Sequence, residues 1–569
     1  MSDSPHASPN DAAIDSATPL ASTTTPTSGS PWRWDATWIL VIVAVVAGRI
    51  FALQPLQENR HSPFMSANDR SRWATIRALG DDGTYAIDHL TVERGSVWNT
   101  IDKVVHVGED GRLHEYSSKP TLLPTLYAYL YRAIRLTTGW SLDHQPFSVA
   151  RTLLLLVNVL PLAVLLGAVA TLARKRGMSA WTRAILVAGL GLGTSLGTFA
   201  VTLNNHLPAA VSVGIVILSW WLCATKDDPK RTGADESSRD ASVGKRSHWW
   251  FAIGGLFAAF AAANELPALS FLCLAAFAFL LVDWRKTLLI FLPAAGIVAC
   301  ASFATNWQAH HSWRPPYAHR SDGAVLLQLP AEAADAAARG ELSAETRRVL
   351  NDGGVMVSSR WSLNPGTTPV PEGTRRWVLT DLGSDQRWAL VQPTSESQID
   401  VREWDNWYEY DWSYWSQPRE SRSRVDQGEE SRARYAWHML LGHHGLISLS
   451  PLLALAVAGV VLGLRPGQPR IWQAFTIAVL LLTVVVFGFY LSRPLIDRNY
   501  GGQTSYLRWM LWFTPMWILL AMDPIERLAK RAAGRAVVLT LLGMSIASAA
   551  YAQANPWIHP WLYTWLGGE

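Results

Sequence analysis

The sequence predicts an all-α polytopic membrane protein of about eleven transmembrane helices, with a mixed α/β or β-rich extracytoplasmic insert. Three observations predict it. Hydrophobic residues make up 49% of the 569, charged residues only 17%, and the chain holds 29 Trp. Apolar runs of roughly 20 residues recur, each long enough to cross a bilayer core of ~30 Å. Basic residues gather in short loops between alternate runs, as the positive-inside rule asks of cytoplasmic loops. The net charge of +4 and the scatter of the basic residues argue against a nucleic-acid partner. Cys223, Cys273 and Cys300 all lie in apolar runs, so no disulfide framework is expected.

Taken in order, residues 1–31 are rich in Ser, Thr, Pro and Ala with no apolar period, which reads as a disordered cytoplasmic tail. The tail lacks the basic start of a signal peptide, so the first helix, 36–53, is read as a retained anchor. Further spans are expected at 149–172, 182–203, 207–224, 249–263, 266–282, 286–304, 446–464, 471–491, 505–522 and 535–552. The segment 121–136 is apolar but carries Tyr127, Tyr129, Tyr131, Arg132 and Arg135. It is read as juxtamembrane or re-entrant, because counting it as a span would move Arg174-Lys175-Arg176 and several later clusters outside. The resulting division is an N-terminal membrane domain, 32–304, with an extracytoplasmic loop at 55–148. An extracytoplasmic insert, 305–445, and C-terminal helices, 446–569, follow.

Within the insert, 331–338 reads as helix, and 376–380 and 387–391 read as strands. Its tail, Trp-Asp-Asn-Trp-Tyr-Glu-Tyr-Asp-Trp-Ser-Tyr-Trp from Trp404 to Trp415, could stack on sugar rings. An interfacial aromatic belt is the favoured reading of that stretch.

Just beyond the first span, Asp69, Arg72, Arg77, Asp81 and Asp82 crowd a segment too charged to lie in lipid. About fifty residues on, Ser118-Lys119-Pro120 opens an aromatic helix. A carboxylate and a lysine against a membrane surface suit a lipid-linked, phosphate-bearing substrate; an ordinary polar loop is the plain alternative. Polar groups recur at the outer helix ends: Asn204-Asn205-His206, Asn264-Glu265, His443-His444, Arg493, Asp497, Arg498, Asn499 and Arg508. Ionisable groups at membrane depth are costly and mark sites or pairs. Several on one face suggest a shared outward-facing cavity. The adjacent histidines His443 and His444 are poorly spaced for one metal ion.

The pattern Asp69-x-x-Arg72-Trp73-Ala74-x-Ile76-Arg77 resembles the motif after the first helix of GT-C membrane glycosyltransferases. The closest likeness is to the branch of protein O-mannosyltransferases and the lipid A aminoarabinose transferase. Lys119-Pro120 with Leu122-Leu123 resembles that branch's Lys-Pro helix, and Arg151, Arg174–Arg176 and Leu507-Arg508-Trp509 are similar to further family features. The resemblance implies sugar transfer from a polyprenyl-phosphate donor to a lipid, glycan or protein acceptor, outside a cell inner (plasma) membrane. It assigns the catalytic aspartate to Asp69 and the donor phosphate's lysine to Lys119. Arg72, Arg77, Asp82, Asn205, His206, Glu265, Arg498 and Arg508 complete the expected substrate-binding set. The chain departs from the family at Asn204-Asn205-His206, where an acid is common, at Ser118, and at Glu265, where many relatives carry lysine. No metal ligand is assigned, and a divalent cofactor is left open.

The chemistry fits these residue types independently. A carboxylate takes the proton of an attacking hydroxyl, and cations stabilise the charge on a departing phosphate. A transporter or flippase of lipid-linked saccharides is the alternative, but the internal repeats with paired broken helices seen in many transporters are not evident. A non-catalytic glycan-binding scaffold is a third. The odd span count predicts Met1 inside and Glu569 outside. Cysteines placed at 20, 350 and 560 check this by impermeant labelling; a cytoplasmic 350 overturns the outward-facing site.

Overall fold

The computed structural model describes residues 31–54, 62–92, 96–225, 241–368, 370, 372–393 and 398–566. Residues 1–30 of the expected tail and residues 226–240 of the basic 225–247 loop fall outside them. Among the described residues six helices are long and apolar enough to cross a membrane. These are α1 (Pro31–Phe51), α4 (Pro146–Lys175), α6 (His206–Ala224), α9 (Trp284–His310), α14 (Arg470–Ser492) and α17 (Ala532–Tyr551). Shorter apolar helices fill in between them: α5 (Ala180–Gly191), α8 (Leu266–Val282) and α13 (Pro451–Gly463). α7 (Ala241–Asn264) packs against α6 and α9. The chain is a largely helical membrane protein with a β-sheet insert.

Two expected spans are interrupted. The run expected at 182–203 stops at Gly191, turns, and resumes as a single turn at Ser195–Phe199. Gly191, Gly193 and Gly197 are weak helix formers, and the Thr194 hydroxyl donates to the Leu190 carbonyl at 2.7 Å. The run expected at 505–522 opens as a 3-10 segment, Arg508–Phe513, before α15 (Thr514–Leu520) and α16 (Met522–Leu528). The break between α7 and α8 falls where Asn264-Glu265-Leu266-Pro267 places it. Pro267 lacks a backbone donor, and Glu265 is extended at φ −131°, ψ 107°.

The segment between α1 and α4 holds α2 (Ala67–Arg77), a hairpin of β1 (Lys103–Val107) and β2 (Leu113–Ser117), and α3 (Leu122–Thr138). α3 buries Leu123, Tyr127 and Tyr131 while Leu126, Tyr129 and Leu136 stay exposed, as expected of a helix lying at an interface. The insert is a five-stranded antiparallel sheet in the order β3-β7-β6-β5-β4. Its strands are β3 (Val325–Pro330), β4 (Trp361–Pro365), β5 (Arg375–Asp381), β6 (Arg387–Gln392) and β7 (Gln398–Glu403), with α10 (Glu332–Ala338) and α11 (Ala344–Asp352) packed against them. Leu350 is buried in that core, so Met356, 65% exposed, is the better labelling position there. The aromatic run 404–415 does not form a lipid-facing belt. Trp407 and Tyr408 are buried against the hairpin, the Val105 amide bonds the Trp407 carbonyl at 2.9 Å, and Trp412 alone of the run's tryptophans is 90% exposed.

Small residues let membrane helices approach closely. A Cβ on Gly255 of α7 would lie 2.1 Å from the Phe291 carbonyl of α9, whereas one on Gly488 of α14 would meet nothing within 4 Å. Gly255→Val is therefore expected to destabilise the purified protein by ~1–3 kcal/mol, and Gly488→Ala to leave it unchanged. Thermal unfolding in detergent checks the pair.

Candidate active site

Asp69 is fully buried in the first turn of α2. Ser66, the N-cap, takes the amides of Asn68 and Asp69, and Asp69 reaches back to the Ser66 amide at 2.6 Å, closing a capping box. The Met65 amide, 3.0 Å, and the Thr202 hydroxyl, 3.1 Å, bond its other oxygen. Burial raises its pKa, opposed by the Met65 and Ser66 amides. The carboxylate is thus both a cap and a desolvated hydrogen-bond acceptor.

One turn on, Arg72 is 2% exposed. Its guanidinium bonds the Asn68 carbonyl at 2.9 Å and the Asn205 side-chain oxygen just before α6. Asn205 in turn donates to the Asn264 carbonyl at 2.8 Å and to Glu265 at 2.7 Å, and Glu265 also bonds the His206 ring. The helix break at 264–267 therefore delivers a buried carboxylate to the start of α6. Burial brings the Arg72 pKa down to about 10, with Arg508 adding to the effect and Asp102, Glu265 and Asp69 opposing it.

Lys119, just past β2, pairs with Asp102 at 2.9 Å. The Asp102 carbonyl is fixed by the Ser71 hydroxyl at 2.6 Å and the Ser118 amide at 3.2 Å, which ties this loop to α2. Burial lowers Lys119 to about 8 even with Asp102 beside it, and Arg72 and Arg508 push the same way. Burial would raise Asp102, but Lys119, Arg508 and Arg72 hold it below its usual range. Tyr85, Tyr116, Lys119, Thr121 and His310 line a small cavity of about 10 Å³.

Arg508 is 8% exposed, its guanidinium 4.8 Å over the Trp557 ring. Gly501, at φ +102°, leaves the room it needs: a Cβ there would sit 2.4 Å from Arg508 Nε. Its Nε and Nη1 are buried and find no hydrogen-bond partner among the described residues. Trp557 Nε1 donates to the Thr202 hydroxyl at 3.2 Å, which connects Arg508's surroundings to Asp69.

The structure brings together Asp69, Arg72, Lys119, Asn205, His206, Glu265 and Arg508. Arg77 and Asp82 lie elsewhere. They pair with each other past the end of α2, and Arg77 also holds Asp143 at 2.7 Å. Arg498 instead clamps backbone carbonyls of Arg493 and Glu430, each at 3.0 Å. Asp102 and Trp557 escape sequence reasoning, for each lies in a loop with no motif around it, and Thr202 is missed because it reads as the end of the apolar run expected at 182–203. The cluster does not fit a divalent ion. Three cations surround it, Asp69 is occupied by four donors, and the described group of metal-capable side chains lies elsewhere.

No family model matches the chain, and no curated protein matches it by sequence. Among solved structures it is similar to the Archaeoglobus fulgidus oligosaccharyltransferase in complex with Zn and sulfate, at 12% identity and a TM-score of 0.41, over 92% of this chain and 53% of that one. It is also similar to the S. cerevisiae protein O-mannosyltransferase Pmt1-Pmt2 complex bound to the sugar donor, at 10% identity and a TM-score of 0.40, over 94% and 91%. A third is the archaeal oligosaccharyltransferase AglB with an inhibitory peptide and a dolichol-phosphate, at 11% identity and a TM-score of 0.39, over 93% and 57%. The chain spans about half the length of the archaeal enzyme.

Proposed function

We infer that the protein is a membrane glycosyltransferase that moves a sugar from a polyprenyl-phosphate donor to an acceptor hydroxyl on the extracytoplasmic side. One observation carries this reading: the buried Arg72 and Arg508 and the partly buried Lys119 act on one another's charge in a single cluster, and Arg508 keeps two buried donors without acceptors. A buried charged donor left unpaired is costly, and a phosphate oxygen would satisfy it with a charge-assisted bond.

In this reading the donor phosphate lies between Arg508 and Lys119. The acceptor oxygen attacks the anomeric carbon, the bond from that carbon to the phosphate oxygen breaks, and the acceptor proton passes to Asp69. The negative charge that grows on the departing lipid phosphate is met by cations already in place, so little reorganisation accompanies the step. The acceptor hydroxyl would take the place of the Thr202 hydroxyl on Asp69.

Two roles of Asp69 can be separated. Asp69→Asn is expected to cut turnover by ~10²–10⁴-fold through loss of the base. Ser66→Ala breaks the same capping box, costing ~0.5–2 kcal/mol of stability, but keeps the carboxylate and should turn over near normally. Turnover of purified variants on polyprenyl-phosphate sugar, alongside thermal unfolding, checks both. Equal turnover by Asp69→Asn and the parent protein removes the base role.

Lys119 supplies a pH signature. Its ammonium form is present below about 8 in the folded protein and is lost above that, so kcat/KM, which reports the free enzyme, should fall as pH rises through 8. Stability moves oppositely: from about 8 up to the unfolded value of ~10.4 the unfolded chain binds more protons, so this group's contribution improves with pH. Lys119→Arg should flatten the alkaline limb while only partly restoring donor affinity, because a planar fork replaces a point charge. Lys119→Ala should be severely defective. A well-folded Ala variant with unchanged donor affinity takes Lys119 out of the site.

A further inference from the structure

We propose that Asp426 of the insert selects the donor's sugar: its free carboxylate oxygen accepts a ring hydroxyl while Arg508 holds the phosphate. This rests on the reading of Arg508 given above. The sugar it implies is neutral and hydroxylated. Asp426 lies in the 3-10 turn Arg424–Gln427, just before α12 (Arg432–Leu440).

Two consecutive glycines set Asp426 and Arg508 against one turn. Gly501 and Gly502 adopt φ +102° and +75°, the region that favours glycine. A Cβ on Gly501 would lie 2.4 Å from Arg508 Nε, and one on Gly502 would lie 3.7 Å from Asp426 Oδ1. Apart from the adjoining residues, Asp426 Oδ1 is the only described atom within 4 Å of that second position, so this flank is otherwise open. Consecutive Cα atoms stand about 3.8 Å apart, so the cation and the carboxylate meet the turn one residue from each other. Asp426 also acts on the charge of Arg508.

Both sides of this turn carry unused hydrogen-bonding capacity. Asp426 is 8% exposed. Its Oδ2 accepts from the Tyr414 hydroxyl at 2.7 Å and the Ser423 hydroxyl at 3.0 Å. Its Oδ1 is buried and finds no donor among the described residues. The Gly501 and Gly502 amides supply none, because they donate to the Asn499 side-chain oxygen at 2.9 and 3.3 Å. Arg508 Nε and Nη1 lack acceptors, and the buried Thr504 and Ser505 hydroxyls between the glycines and Arg508 also lack partners among the described residues. Unsatisfied buried groups are costly, charged ones most of all. A glycosyl phosphate offers both complements, an anion at the anomeric oxygen and hydroxyl donors around the ring. A bare phosphate brings no such donors, and an acidic sugar would set a second carboxylate against Asp426. The turn is held where it stands: the Glu429 amide donates to the Arg498 carbonyl at 2.9 Å, and the Tyr435 hydroxyl of α12 to the Asn499 carbonyl at 2.6 Å.

The test measures binding of short-chain polyprenyl phosphate, bare or carrying mannose, glucose or galactose, to full-length protein purified in detergent. Arg508→Ala should weaken all of these ligands. Bare phosphate bound equally by Arg508→Ala and the parent overturns the phosphate reading, and the sugar contact with it. Asp426→Ala should still bind the bare phosphate but lose the parent's preference for its best glycosyl donor, a loss of ~10–100-fold. An unchanged preference overturns the role of Asp426 and leaves the phosphate reading standing; water filling the gap, or an ion pair closing between Asp426 and Arg508, gives this result. A parent that prefers none of the three glycosyl donors to bare phosphate overturns it too. Should Asp426→Ala fold poorly, fluorinated donors ask the same question of the parent and of Asp426→Asn. Fluorine in place of one ring hydroxyl, unable to donate, should cost the parent at least ~10-fold, and cost Asp426→Asn less because its oxygen carries no charge. Equal costs in the two proteins, or no cost at any ring position, overturn the contact.

Discussion

Enclosing Arg72, Lys119 and Arg508 among three carboxylates, Asp69, Asp102 and Glu265, is the constraint on which the rest of the architecture depends. Each cation must be offset locally, because desolvated charge is expensive. The chain meets this by converging partners from distant places: Asp102 from the loop after α1, Asn205 from the foot of α6, Glu265 from the α7–α8 break, and Trp557 from the segment after α17. None of these could be delivered by a continuous span. Backbone at membrane depth can leave the helix only where it is buried in protein or lines a cavity. The interruptions at 192–194, 264–267 and 501–508 are therefore the means by which polar groups reach a common point, rather than defects in the bundle.

Asp69 shows how one side chain meets a local and a global demand together. A helix that begins just past a membrane span leaves amides unsatisfied at its N-terminus. Ser66 and Asp69 satisfy those of α2, and the same hydrogen bonds fix the carboxylate within reach of Thr202. Burial makes the group more basic while the two amides restrain the shift. The result is a carboxylate oriented by its own helix, with one partner, the Thr202 hydroxyl, that another hydroxyl can replace.

Much of this was legible in the sequence, and the missing parts share a physical reason. Helical segments, the loop motif and the sheet-bearing insert follow from hydrophobic period, charge and turn chemistry, which are local. Asp69, Arg72 and Lys119 stand out because charge beside a span is rare. Arg77 and Arg498 carry the same signal, yet Arg77 ends in an ion pair with Asp143 and Arg498 on backbone carbonyls. A charged residue's partner is a matter of tertiary placement, and composition does not encode it. Asp102 and Trp557 illustrate the converse: ordinary residues in loops, made important by what the fold sets beside them. The aromatic run 404–415 misleads for a related reason. Tryptophan and tyrosine favour a membrane interface and a protein interface alike, and here the protein interface wins at Trp407 and Tyr408.

That outcome ties the insert to the site. Trp415 donates to the Ile101 carbonyl at 2.9 Å, one residue before Asp102, and the Trp407 carbonyl takes the Val105 amide two residues beyond Lys103. Trp407 also stacks on His319 at 3.5 Å and lies 4.2 Å from the His106 ring, which bonds His310 at the end of α9. The insert thus grips the strand that begins right after Asp102, from both sides of the Asp102–Lys119 pair's supporting loop. Asp102 fixes the Lys119 ammonium group, so the insert's hydrogen bonds at Ile101 and Val105 hold the loop that carries this pair. A second set of bonds, from Glu429, Glu430 and Tyr435 to Arg498 and Asn499, joins the end of the insert to the segment that leads into Arg508.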